Sequence, residues 1–184
     1  MNQSQVGGFL LQVGHTSEFN RSVLTRAREL LDTVFAGEMT EHDWEHALGG
    51  MHTVVWHRDS IVGHASVIQR RLFHGRHSLR TGYVEGVGVH PARQRQGIGG
   101  HMMSALEQII DAAYDIGALG ATDEAIGLYS RRGWVRWQGP TSALTPSGIA
   151  RTPDEDDWVF VWPAGRVLDT TGELTCDWHD GDVW

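Results

Sequence analysis

The sequence predicts a mixed α/β fold, a mostly antiparallel central sheet with helices on both faces, and three observations carry that prediction. Residues 53–89 hold three β-rich runs joined by the short connections Arg58-Asp59-Ser60 and His74-Gly75-Arg76-His77, which suit an antiparallel meander. Residues 18–35 and 102–114 carry apolar side chains at helical spacing. Between the meander and the second helix lies a basic, glycine-rich turn.

In chain order, residues 9–13 read as a first strand. The helix over 18–35 presents Val23, Leu24, Ala27, Leu30, Leu31 and Val34 on one face, with Thr16 or Ser17 as N-cap and Gly37 as its stop. Residues 40–48 open on Thr40 and Asp43, spaced as a capping box, and end at Gly49-Gly50, so they read as a short second helix. The meander strands fall at 53–57, 61–73 and 78–89. After the third helix come a strand at 118–121, a helix at 124–132 capped by Gly133, and closing strands at 134–138 and 158–161. Pro140, Pro146, Ser147, Gly148 and Pro153 mark 140–157 as a long loop. No repeat or linker divides the chain, so 1–184 is expected to be one domain.

Composition narrows the function. The start lacks a basic stretch followed by an apolar one, and no run is long enough to span a bilayer, so a cytoplasmic protein is expected. The single cysteine, Cys176, excludes an internal disulfide and argues against zinc or redox chemistry. His42 and His46 share a helical face without a third ligand, so no metal is expected. Of the net charge of −8, residues 145–184 hold −7, from nine acidic residues and two arginines. Such a surface repels nucleic acid and anionic membranes and attracts polycations. The plainer alternative is a solvated face that aids solubility.

The chain is organised around 83–101. Val84, Val87 and Val89 make a strand closed by Pro91; Gly97, Gly99 and Gly100 then lead into a helix. Unpaired N–H groups and the positive end of a dipole at such a terminus favour phosphate, with Arg93 and Arg95 as reinforcement. A P-loop is excluded because the chain contains no lysine. A dinucleotide fold wants a third glycine that Gly97-Ile98-Gly99 lacks at the right spacing. Gly86 and Gly88 inside the strand suggest a bulge or a close backbone approach.

The hexapeptide Gln94-Arg95-Gln96-Gly97-Ile98-Gly99 resembles the acetyl-CoA pyrophosphate signature of the GNAT N-acetyltransferases, and Ala125-Ile126-Gly127-Leu128-Tyr129 through Gly133-Trp134 resembles a second helix motif of that family. The resemblance implies the GNAT fold and acetyl-CoA as cosubstrate, bound by Val87, Gly88, Val89, Gln94, Arg95, Gln96, Gly97, Ile98, Gly99 and Gly100. An alkylammonium must lose a proton before it attacks a thioester, which makes Glu85 the candidate base, directly or through water. By resemblance Tyr129 protonates the departing thiolate. The alternatives are a structural salt bridge for Glu85 and a packing role for Tyr129.

Further runs, including Phe35-Ala36-Gly37, Asp43-Trp44-Glu45-His46, Gly139-Pro140-Thr141-Ser142 and the ending Cys176-Asp177-Trp178…Gly181-Asp182-Val183-Trp184, look like the aminoglycoside 2′-N-acetyltransferases. That resemblance implies antibiotic acetylation, possession of a homodimer interface, and drug contacts from Glu38, Asp43, Glu85, Gly86, Gly120, Glu155, Gly181, Asp182 and the carboxylate of Trp184. Glu38 and Glu155 stand where the family often has Asp, and Gly120 where it often has Ser. The alternatives are an acetyltransferase for a cell-wall or polyamine-like amine, and a non-catalytic acetyl-CoA sensor.

Overall fold

The computed structural model describes residues 1–184, which divide into two compact units. The first comprises Met1–Ile68 and Val84–Gln108, the second Gln69–Tyr83 and Ile109–Trp184.

The first unit holds β1 (Asn2–Val6), β2 (Phe9–His15) and β3 (Met51–His57) with residues 60–68 of β4 (Ser60–His74), all antiparallel neighbours, and residues 84–89 of β5 (His77–Val89), which follows β4 in the sheet order. The β1 strand is a correction to the expectation that the first strand lies at 9–13; its burial pattern is exposed throughout except at Val6, so it carries no alternation to read. Helix α1 (Arg21–Val34) is capped by Asn20, whose side chain accepts from Val23 N, because Thr16–Glu18 forms a separate 3-10 turn. The cap therefore lies four residues beyond Thr16. Helix α1 buries Ala27, Leu30 and Leu31, an i, i+3, i+4 stripe. Helix α2 (Glu41–His46) has the expected capping box between Thr40 and Asp43. Trp44, Ala47, Val54 and Ile61 join the α1 stripe in one core, where each large apolar side chain contributes about 1.5–3 kcal/mol.

In the second unit β5 pairs in parallel with β6 (Ile116–Gly120), followed by antiparallel β10 (Val159–Trp162) and β7 (Val135–Arg136). Helix α3 (Ile98–Ala113) passes from the first unit into the second, and α4 (Asp123–Arg132) ends at Gly133 with φ 97°, the expected left-handed cap. The 140–157 segment is not a loop. It folds into the hairpin β8 (Thr141–Thr145) and β9 (Gly148–Arg151), and β11 (Leu174–Cys176) pairs in parallel with β8 and antiparallel with β4. The prolines that suggested a loop sit at its turn and ends; β8 and β9 pair with each other, and the strand β11 that joins the hairpin to β4 comes from about 30 residues downstream. Leu72, Tyr83, Ile116, Trp137, Val159 and Trp184 form this unit's core.

Candidate active site

The strand β5 delivers the chain to a turn that is left-handed twice, at Arg95 (φ 62°) and Gly97 (φ 82°). The first helical bond of α3 runs from His101 N to Gly97 O, so the N–H groups of Ile98, Gly99 and Gly100 have no acceptor within the helix. A Cβ at Gly97 would meet nothing nearer than His101 at 3.8 Å, leaving the approach open. Three N–H groups and a helix dipole at an open turn fit a pyrophosphate. The side chains of the turn are used internally: Gln94 Nε2 donates to Val89 O at 3.4 Å, Gln96 Nε2 to Ala92 O at 3.5 Å, and Arg93 bonds His57 Nδ1 at 3.3 Å. Arg93 is thus a brace for the turn, while Arg95 is exposed.

Within β5, Gly86 has φ 56°, and the successive carbonyls of Glu85 and Gly86 both meet donors on β4, the geometry of a bulge. A Cβ there would lie 3.1 Å from Leu31 Cδ1, and one at Gly88 would lie 2.7 Å from Leu31 Cδ2. The close approach inferred from these glycines is therefore made by α1. Glu85, half-buried beside the bulge, has its carbonyl facing Ser66 Oγ at 3.4 Å. Glu38 is exposed just after the left-handed pair Ala36 and Gly37; Asp43 spends Oδ2 on Thr40 N at 2.8 Å and keeps Oδ1 outside the cap.

The second unit holds five of the expected substrate residues, Gly120, Glu155, Gly181, Asp182 and Trp184. Gly120, at the end of β6, is open enough that a Cβ would first meet Tyr83 Oη at 3.8 Å and the carboxyl carbon and oxygen of Trp184 at 3.9 Å. The Trp184 N–H donates to Asp182 Oδ1 at 3.2 Å, and Gly181 makes the preceding bend with φ 85°. Burial, then the charges of Asp182 and Asp154, hold Glu155 above the usual carboxylate range. A cation arriving there would reverse that shift. Trp184 itself is 8% exposed, with Nε1 donating to Thr152 Oγ1 at 2.9 Å. Arg70 Nη2 donates to Val183 O at 2.8 Å while Arg70 Nε pairs with Asp177 at 2.8 Å. The chain end is anchored, where termini ordinarily fray.

Tyr129 is buried on α4 between Trp134 and Phe160, with ring centroids 6.0 and 6.4 Å away. Burial raises its pKa, so the phenol stays protonated at neutral pH. Cys176 is buried, its thiol pushed up to about 12 chiefly by burial, which leaves it without thiolate character.

Residues 16–136 match the acetyltransferase (GNAT) domain family. Over 184 aligned residues the chain is 47% identical to the aminoglycoside 2′-N-acetyltransferase of Mycolicibacterium fortuitum, covering 97% of this chain and 94% of that one. The chain belongs to the aminoglycoside 2′-N-acetyltransferases of the GNAT superfamily. Its fold is shared with a GNAT acetyltransferase from Brucella melitensis solved in complex with acetyl-CoA (TM-score 0.61, 16% identity, 92% of this chain and 96% of that one). A putative acetyltransferase from Pyrococcus horikoshii is also similar (TM-score 0.56, 16% identity), with 74% of this chain spanning 47% of that longer one.

As a GNAT acetyltransferase the protein uses acetyl-CoA, and the open turn at the start of α3 suits that cosubstrate. No helix is long and apolar enough to cross a membrane, and no group of three or more His, Cys, Asp or Glu is arranged to hold a metal. In this acetyltransferase the residues the sequence pointed to fall into two sets. Glu85 to Gly100 lie along one continuous strand and turn in the first unit; Gly120, Glu155, Asp182 and Trp184 lie together in the second. Thr152 and Arg70, which seat the last two residues, were not visible beforehand. The Gln69-Arg70-Arg71 run on a strand requires one arginine to point inward, which is a signal that a buried partner exists but not which one.

Proposed function

We propose that the protein transfers the acetyl group of acetyl-CoA to the 2′-amine of aminoglycoside antibiotics, an activity that would make its host resistant to them. The likeness to the M. fortuitum enzyme over nearly the whole of both chains carries this reading. The acidic group around Trp184 supports it, since aminoglycosides are polycations and charge-assisted bonds where water is excluded contribute about 1.5–3 kcal/mol each.

In this reading Glu38, Asp43, Glu85, Gly86, Gly120, Glu155, Gly181, Asp182 and the Trp184 carboxylate contact the drug. Glu85, directly or through water, accepts the proton that the ammonium must lose to expose its lone pair. Nitrogen then attacks the thioester carbonyl, the C–N bond forms, and the C–S bond breaks. Tyr129 supplies a proton to the leaving sulfur, so CoA departs as the thiol; the second proton that the nitrogen sheds on becoming an amide restores the Tyr129 phenol, and the proton held by Glu85 returns to solvent. Val87 and Val89 contribute backbone groups to the pantetheine arm, and Gln94 through Gly100 hold the pyrophosphate. Residues 1–184 act as one acetyltransferase domain, placed in the cytoplasm where acetyl-CoA is available and assembled as a homodimer.

Thiol release from acetyl-CoA with paired aminoglycosides tests the reading. Drugs carrying a 2′-amine are expected to release CoA, and analogues with a 2′-hydroxyl but otherwise similar amines are not. Equal release with both sets would discard the 2′ assignment. A mass of one chain by light scattering would remove the dimer.

A further inference from the structure

Two histidines of the first unit, His52 on β3 and His64 on β4, are 0% exposed and have no place in the chemistry above. His52 stands opposite Ser66 in the β3–β4 register, so His52, His64 and Ser66 share one face of the sheet. Four polar contacts run through them. Gly49 N donates to Thr16 Oγ1 at 2.8 Å; Thr16 Oγ1 meets His52 Nε2 at 2.8 Å; His52 Nδ1 meets His64 Nε2 at 2.9 Å; His64 Nδ1 meets Gly86 O at 2.9 Å.

The end of this chain fixes every proton in it. A carbonyl oxygen only accepts, so His64 carries its hydrogen on Nδ1, and a neutral His64 then offers Nε2 as an acceptor. His52 must therefore donate from Nδ1 and accept at Nε2, which gives the single Thr16 hydroxyl proton to His52 at 2.8 Å in preference to Gly50 O at 3.2 Å. All four bonds point the same way, toward Gly86. Both rings are kept neutral by burial, with pKa values lowered to about 3 for His52 and about 4 for His64. Phe19 lies edge-on to His52 at 5.8 Å and Trp44 tilts against His64 at 5.8 Å, so neither ring is free to turn.

The receiving carbonyl belongs to the left-handed residue of the β5 bulge, immediately after Glu85. In a regular strand successive carbonyls point to opposite edges, yet here Glu85 O and Gly86 O both face donors on β4, from Ser66 and His64. A Cβ on Gly86 would stand 3.1 Å from Leu31 Cδ1 and 3.4 Å from His64 Nδ1, so the residue is confined by both side chains. An apolar core would fill the same space at lower desolvation cost, but would leave the Gly86 carbonyl without its imidazole donor.

We propose that Thr16, His52 and His64 are positioning residues for acetyl transfer: through the Gly86 carbonyl they set the bulge that presents the Glu85 carboxylate and the peptide groups of Val87 and Val89. This rests on the assignment of Glu85 as base and of β5 as the pantetheine strand. The relay moves no proton to substrate. Its contribution is the direction of one peptide group, and a displacement of about 1 Å at a reacting group is enough to cost about 100-fold in rate.

The test compares steady-state kinetics of H64L, H64N and T16V with E85Q, each checked for a native unfolding transition, and reads the imidazole ¹⁵N shifts of the wild-type protein. An Asn side-chain nitrogen occupies the place of Nδ1, so H64N keeps the donor to Gly86. The expected result is a fall in kcat of about 10- to 100-fold for H64L together with a raised KM for acetyl-CoA, recovery to within about 3-fold in H64N, and a loss of about 3- to 10-fold in T16V. The ¹⁵N shifts should report Nδ1–H tautomers for both rings. Wild-type kinetics in a folded H64L would overturn the proposal, as would the Nε2–H tautomer at His64, which decides the matter even if H64L does not fold. Full activity in E85Q would instead remove the base assignment on which the proposal rests.

Discussion

The indole Nε1 of Trp184 donates to Thr152 Oγ1 at 2.9 Å, tying the Trp184 side chain to the segment that follows β9. Thr152 Oγ1 in turn donates to Thr141 Oγ1 at 3.0 Å, and Thr141 Oγ1 lies 2.9 Å from Asp156 Oδ1. With Arg70 on the carbonyl of Val183, the final carboxylate is placed from two directions. Thr152→Val is expected to raise the KM for aminoglycoside by about 3- to 10-fold, one neutral hydrogen bond of about 0.5–1.5 kcal/mol, and Thr152→Ser to restore it. Extending the chain by two residues past Trp184 removes the carboxylate but leaves the indole. It should raise drug KM and spare acetyl-CoA KM; unchanged drug kinetics would take the chain end out of the site.

At Gly120 the same neighbourhood permits a gain. Its backbone is not left-handed, and a Cβ would touch Tyr83 Oη and the Trp184 carboxyl only at ordinary distances of 3.8 and 3.9 Å. Gly120→Ser should therefore fold with a Tm within a few degrees of the parent. The added hydroxyl should change the ratio of kcat/KM between aminoglycosides by about 2- to 10-fold. An unchanged ranking would mean that position 120 does not face the drug.

Gly88 is the opposite case. A Cβ there would stand 2.7 Å from Leu31 Cδ2 and 3.4 Å from both methyls of Val34, so Gly88→Ala is expected to destabilise by about 1–3 kcal/mol in denaturant unfolding. Leu31→Ala removes the obstacle, and the double variant should be less destabilised than the two single changes together.

Tyr129→Phe keeps the ring between Trp134 and Phe160 and removes only the hydroxyl. The expected outcome is a kcat lower by about 10- to 100-fold with the unfolding midpoint little changed. Full activity would reduce Tyr129 to packing.

The buried histidines give stability a pH dependence whose sign is fixed. His52 and His64 protonate near about 3 and about 4 in the folded protein, against 6.5 for an ordinary histidine, so between these values the unfolded chain binds more protons. Stability conferred by the neutral rings is complete above pH 6.5 and is lost as pH falls toward 4, at about 1.4 kcal/mol per pH unit for each histidine. Urea midpoints at pH 7, 6 and 5 should fall accordingly; a flat profile would contradict neutral burial.

What the sequence by itself determined is what short-range physics writes into neighbouring residues: the Thr40–Asp43 capping box, the Gly133 cap, the stripe on α1, the meander of β3 to β5, and the glycine-rich turn before α3 with the family that its spacing resembles. Each depends on groups within about one helical turn or one hairpin. Only the tertiary structure decided that 141–151 is a sheet hairpin, that α1 is the reason for glycine at 88, that Arg70 reaches Val183 across 113 positions, and that Thr16 meets His52 across 36. A buried polar side chain must find a partner, so burial of Arg70 or His64 demands one. Nothing local to an arginine or a histidine says where in the chain that partner lies, because the pairing is set by strands brought together over long separations.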